Sequence, residues 1–221
     1  MTSGLVVGLL AGPALGLVVA AATNPVLRRL PEPEGQPEKT RYRDLGTPTF
    51  LTATALLATL GATVAWATQP TTLLPVWWVL SSVGVLLVAI DAGTTWLPLR
   101  LTRLAWLLMA AALVIIGLLE GWATAGRGAL GAAVAGGLYL LVWRVSRGGI
   151  GFGDVRFAPL LGAATASGSW TLLLWGLALG SLMGGGQGLV RLVRGRRDGF
   201  AYAPAMLAGA YLAGVLLELR G

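Results

Sequence analysis

About eight apolar runs, each about as long as a bilayer is thick, follow one another through this chain with only short polar connectors between them. A transmembrane helix needs about 20 mostly apolar residues, because hydrocarbon holds no water to satisfy an exposed backbone N–H or C=O. The runs fall at residues 4–23, 49–67, 73–90, 101–119, 128–143, 155–170, 171–190 and 201–217, about two thirds of the 221 residues. Ser167, Gly168 and Ser169 break the sixth from the seventh, unless 155–190 is one long interrupted stretch. The expected fold is therefore all-α: one polytopic transmembrane domain spanning 1–221 with about eight helices. Only 11% of residues are charged, against roughly 25% in an ordinary soluble domain. The first run is too long for a cleaved signal peptide and lacks its basic start.

Charge sorts the connectors. The formal net charge is +7, and in a membrane protein basic residues in short loops mark the cytoplasmic side. With eight crossings, Arg28, Arg29, Lys39, Arg41, Arg43, Arg100, Arg103, Arg144, Arg147, Arg156, Arg191, Arg194, Arg196 and Arg197 share one side, which is 14 of the 16 basic residues. Only Arg127 and Arg220 fall opposite. A multi-pass protein of the cell membrane is expected, with both termini non-cytoplasmic and residues 24–48 forming a polar cytoplasmic loop. Setting orientation explains the basic charge without a nucleic-acid partner.

Glycine accounts for 33 residues. Gly4, Gly8, Gly12 and Gly16 recur every fourth position, so one stripe of the first helix lets a neighbour approach closely. Ala201, Ala205, Gly209 and Ala213 repeat that spacing in the last run. These stripes describe packing and identify no activity.

The chain has no Cys and no His. That removes disulfides, thiolate zinc sites, Cys nucleophiles and imidazole bases. A Ser–Lys protease is disfavoured because Lys39, the sole lysine, lies in the polar loop. Among nine acidic residues, Glu32, Glu34, Glu38 and Asp44 sit in that loop, Asp198 beside Arg196 and Arg197, and Glu120 and Glu218 at outer helix ends. Asp91 and Asp154 remain, the first ending the third run and the second preceding the sixth, both at the cytoplasmic end. A carboxylate at a membrane boundary has to be solvated, paired or functional; for Asp154 alone, an N-cap of the next helix is an alternative. Two carboxyl groups held close cannot both ionise, so one serves as acid and the other as base. Gly151 and Gly153 suit such a site, because a backbone without Cβ admits a substrate strand and can adopt positive φ.

At these residues the chain resembles the prepilin peptidases, or type IV leader peptidases, a family of GxGD membrane aspartyl proteases. GFGDVRFAPLLG (151–162) resembles the family's GxGD, followed by a basic residue and an apolar helix. DAGTTWLPLRLT (91–102) is similar to its first Asp motif, with Leu-Pro around Pro98 and a Leu-Thr pair. GLVVAAATNPVLRRLP (16–31) and FAYAPAMLAGAYLA (200–213) resemble its first and last spans. The resemblance implies Asp91 and Asp154 as the catalytic pair, Gly151, Gly153, Arg156 and Pro98 as supporting motif residues, and no cofactor or metal. Arg156 stands where relatives often carry Lys and reads as an interface anchor. The implied partner is a pilin-like precursor, a basic leader followed by a hydrophobic helix, cut at the cytoplasmic face. Two departures are visible: Leu99 replaces an acid common in the first motif, and the Cys-containing insertion of the methylating members is absent, which points to the short form without N-methyltransferase activity. Presenilin-like enzymes share GxGD, but Pro204-Ala205-Met206 fits their Pro-Ala-Leu element poorly. A small ion- or proton-coupled transporter using the same two Asp, and a non-catalytic membrane scaffold, are the readings from other classes; oligomeric state stays open.

Overall fold

A computed structural model of the chain describes residues 2–32, 40–147, 149–195 and 199–220. It is 86% helical, with eight helices and no strand among the described residues: α1 (Thr2–Arg29), α2 (Pro48–Thr68), α3 (Thr71–Thr94), α4 (Leu99–Glu120), α5 (Trp122–Val145), α6 (Phe152–Gly168), α7 (Trp170–Val193) and α8 (Ala203–Glu218). The protein is an all-α polytopic membrane protein. All but α6 and α8 are long and apolar enough to cross a bilayer. Large apolar side chains face outward, Leu10, Leu118 and Val193 being 75%, 73% and 80% exposed; water would not tolerate so much apolar surface, and lipid does.

Every expected span corresponds to a helix, with shifted ends. The first runs on to Arg29, through Pro13 and Pro25, because in an apolar setting neighbouring groups can satisfy the backbone a proline frees. The polar loop is correspondingly shorter and holds a 3₁₀ turn, Tyr42–Leu45. Glu32 accepts the backbone N–H groups of Tyr42 (3.0 Å) and Arg43 (3.5 Å), so this acid caps a turn. Burial, and then the Glu32 carboxylate, push the Tyr42 phenol up to about 12, which keeps it neutral. Lys39, Glu34 and Glu38 of that loop, and Arg196, Arg197 and Asp198, lie outside the described residues. The sixth and seventh spans are two helices: Ser169 is extended (φ −164°, ψ 159°), and its hydroxyl accepts the Leu172 N–H at 3.0 Å, an N-cap that starts α7.

The α3 and α6 helices form the centre. In α3, 78% of the most apolar stretch is buried, against 22–39% in the other long helices, and α6 is buried along nearly its whole length. Around them the chain packs as close pairs, α1 on α2, α5 on α6 and α7 on α8. Glycine is what permits this. A Cβ on Gly4 would stand 2.5 Å from the Trp66 carbonyl oxygen, and one on Gly16 2.6 Å from that of Ala55; the expected stripe of α1 is the α2 contact. In addition, the Thr63 hydroxyl donates to the Gly8 carbonyl at 3.0 Å, a polar link suited to apolar surroundings. In α8, Gly209 meets the Gly180 backbone and Ala205 and Ala213 are buried, whereas Ala201 precedes the helix.

The described arginines other than Arg127 and Arg220 lie at the end of the bundle that holds the C-terminus of α3 and the N-termini of α4, α6 and α8, here the basic end. Arg127, at the other end, donates from Nε to the Ala166 carbonyl (2.7 Å) and from Nη2 to those of Ser167 (2.5 Å) and Gly168 (3.3 Å). It caps the C-terminus of α6, where a cation both fills orphan acceptors and complements the helix dipole.

Candidate functional site

Asp91 belongs to the last turn of α3. The helix stops because Thr95 turns left-handed (φ 59°), its N–H returning to the Asp91 carbonyl at 2.6 Å. A β-branched residue in that conformation is unusual and costly. The Thr94 hydroxyl accepts the Trp96 N–H at 3.2 Å and so shapes the next step. Leu97 and Pro98 follow, both buried, and the Pro98 carbonyl accepts the N–H and hydroxyl of Thr102, each at 3.0 Å. Pro98 thus starts α4 and does not line the site.

Asp154 is the third residue of α6. The N-cap is Gly151, in extended conformation (φ −66°, ψ 140°), and its carbonyl receives the Asp154 N–H at 3.1 Å. Two expectations are corrected here. Asp154 is not the N-cap, because the helix begins earlier, at Phe152, and its side chain instead reaches back to the backbone of the N-cap residue Gly151. Neither motif glycine has positive φ; among the described residues only Gly121 and Gly195 are positive-φ glycines. Space is the reason for both. A Cβ on Gly151 would stand 3.1 Å from Oδ2 of Asp154, and one on Gly153 3.1 Å from both Cβ and Cδ1 of Leu97. Gly153 therefore seats the α3–α4 turn on the start of α6 and joins the two Asp motifs.

The two carboxyl groups are close enough to interact electrostatically. Each residue is 5% exposed, and both line one cavity of about 310 Å³ at the basic end. Oδ2 of Asp91 accepts the backbone N–H of Ala203 at 3.2 Å, so the start of α8 is tied to Asp91, and Phe200 just before it supplies a third wall. Thr95, Trp96, Phe152 and Phe200 complete the lining, with Arg156, whose guanidinium lies over the Phe152 ring at 4.6 Å. Tyr139 of α5 lies within electrostatic reach of Asp154 and stands edge-on to Tyr202 at 6.3 Å. Sequence reasoning missed Ala203, Tyr139 and the aromatic walls. Phe200 does stand inside a motif already singled out, whereas a backbone donor such as the Ala203 N–H leaves no trace in sequence.

Among the described residues no three His, Cys, Asp or Glu gather as metal ligands. A larger groove of about 530 Å³ runs along α4, α5 and α6, but no titratable side chain lines it. The aspartate cavity brings two carboxyl groups and a cation into one partly enclosed space, an arrangement suited to moving protons between a bound group and water. No protein-family model, curated protein or solved structure matches the chain.

Proposed function

We propose that this protein is a membrane aspartic endopeptidase that removes the leader of pilin-like precursors (prepilin, pseudopilin or Tad/Flp) at the cytoplasmic face. The observation that carries the reading is the pair of buried aspartates, Asp91 and Asp154, on the walls of one cavity. Their motifs, DAGTTWLP and GFGD, are those in which the chain resembles the prepilin peptidases.

In this reading Asp91, whose Oδ2 accepts the Ala203 N–H, is the ionised partner and Asp154 the protonated one. It takes a proton from water as the oxygen attacks the scissile carbonyl carbon, while Asp154 gives its proton to the carbonyl oxygen. The tetrahedral intermediate collapses when Asp91 passes its new proton to the leaving amine nitrogen and Asp154 recovers its own, so the C–N bond breaks and both acids return to their starting states. Thr95, Trp96 and Phe200 shape the approach of the extended segment. No N-methyltransferase activity is proposed.

The test is co-expression with a pilin-like precursor from the same genome in a host lacking such peptidases, reading product mass and N-terminus. Wild type is expected to remove the leader. Asp91→Asn and Asp154→Asn should each lose about 10²-fold or more, the scale of a general acid or base, while still inserting in the membrane. Processing that survives either substitution, or no processing of any precursor, would move the reading to a transporter or a scaffold.

A further inference from the structure

The larger groove points to a ligand of its own. Trp106, Met109 and Leu113 of α4 form one wall, Ala133 and Gly137 of α5 the other, and Pro159 of α6 lies in the floor. Toward the other end α4 and α5 close together: Gly117 lies against the Trp122 ring and Gly128 against Leu113 and the Ala163 carbonyl. Toward the basic end they stay apart, and a side chain on Gly137 would meet nothing within 4 Å.

Each groove face leads into an arginine. Arg103 lies three residues before Trp106, Arg144 seven after Gly137, and Arg156 three before Pro159, spacings that keep a residue on the same helical stripe. Arg103 and Arg144 are exposed and Arg156 half-buried, and none of the three forms an ion pair among the described residues. The apolar walls extend about 10 Å along the helices at 1.5 Å per residue, within the depth of one leaflet of a hydrocarbon layer about 30 Å thick.

We propose that this groove holds one acyl chain of an anionic phospholipid, with its phosphate on Arg103 and Arg144. The depth argues against a spanning helix, from a substrate or a second copy, which would need a groove through both leaflets. Positive charge at the mouth argues against a basic leader and for a phosphate. Occupancy would bear on the site, because the Trp106 indole N–H donates to the Arg156 carbonyl at 3.0 Å, tying the groove wall to the start of α6. The inference does not depend on peptidase activity.

The test uses the full chain in phosphatidylcholine nanodiscs doped with phosphatidylglycerol or phosphatidylcholine carrying a photoreactive group in mid-chain, with labelled residues mapped by mass spectrometry. Phosphatidylglycerol is expected to label residues 106–113 and 129–137 several-fold more than the outer faces of α1 and α7, and more than the phosphatidylcholine probe does. Arg103→Gln with Arg144→Gln should bring it down to the phosphatidylcholine level, and Gly137→Leu should displace it with the melting temperature unchanged. Equal labelling by the two probes, even labelling of all faces, or labelling that survives the variants would overturn the proposal. So would photocrosslinking from Ala133 to a second copy or to a precursor helix. Should a variant fail to fold, the comparison of the two probes on the wild type still decides.

Discussion

At the scale of single residues, the site is built from positions where one atom more would not fit or one dihedral is strained. Thr95 carries a left-handed backbone (φ 59°) that costs a non-glycine residue roughly 1–2 kcal/mol. It stays there because the turn is held from both sides, by the Asp91 carbonyl and by Leu97 seated on Gly153. Replacing it by glycine relieves the strain and, because the residue is exposed, loses little packing beyond the hydrogen bond its hydroxyl donates to the Thr94 carbonyl (2.6 Å). Thr95→Gly is therefore expected to be neutral or stabilising by up to about 1 kcal/mol in a detergent melt; a loss of that size would show that the Thr95 side chain holds the turn. The Gly-x-Gly-Asp spacing was legible as a motif, but its physical reason was not. Which atom stands opposite Gly153 depends on a residue from another helix.

Helices meet here through missing side chains. Gly131 and Gly137 share α5 and have opposite surroundings: a Cβ on Gly131 would stand 2.5 Å from the Gly162 carbonyl oxygen, while one on Gly137 would touch nothing. Overpacking a close contact costs about 1–3 kcal/mol, so Gly131→Val should lower the melting temperature by several degrees, with Gly137→Val unchanged. Equal effects would mean that helix propensity rather than the α5–α6 contact decides. Inside α3 the backbone widens into a π-helical turn at Leu80–Gly84, and Ser81 there meets the Tyr211 hydroxyl at 2.6 Å. With about 100° of rotation per residue, such a turn changes the face on which Asp91 emerges, and no apolar pattern in LSSVGVLLVAI signals it.

For the whole molecule, the sorting of arginines to one end predicts a topology that can be checked directly. The chain has no cysteine, so a single engineered one is an unambiguous reporter. Ser146→Cys, at the basic end, should resist a membrane-impermeant maleimide in intact cells, whereas Ala123→Cys, exposed at the other end, should react. The reverse result would put the aspartate cavity outside the cell and remove the cytoplasmic cleavage reading. Helix number, membrane class and the shared end of Asp91 and Asp154 were all legible in the sequence, because hydrophobicity and charge act locally and add along the chain. Which faces meet was not. These helices are apolar nearly all round, so the contrast that would mark a buried face in water is missing, and packing is decided by shape between segments distant in sequence. Only the tertiary structure therefore decided that the two carboxyl groups open into one cavity, that the Ala203 N–H closes on Asp91, and that Arg127, on the wrong side by its charge, is there to cap α6.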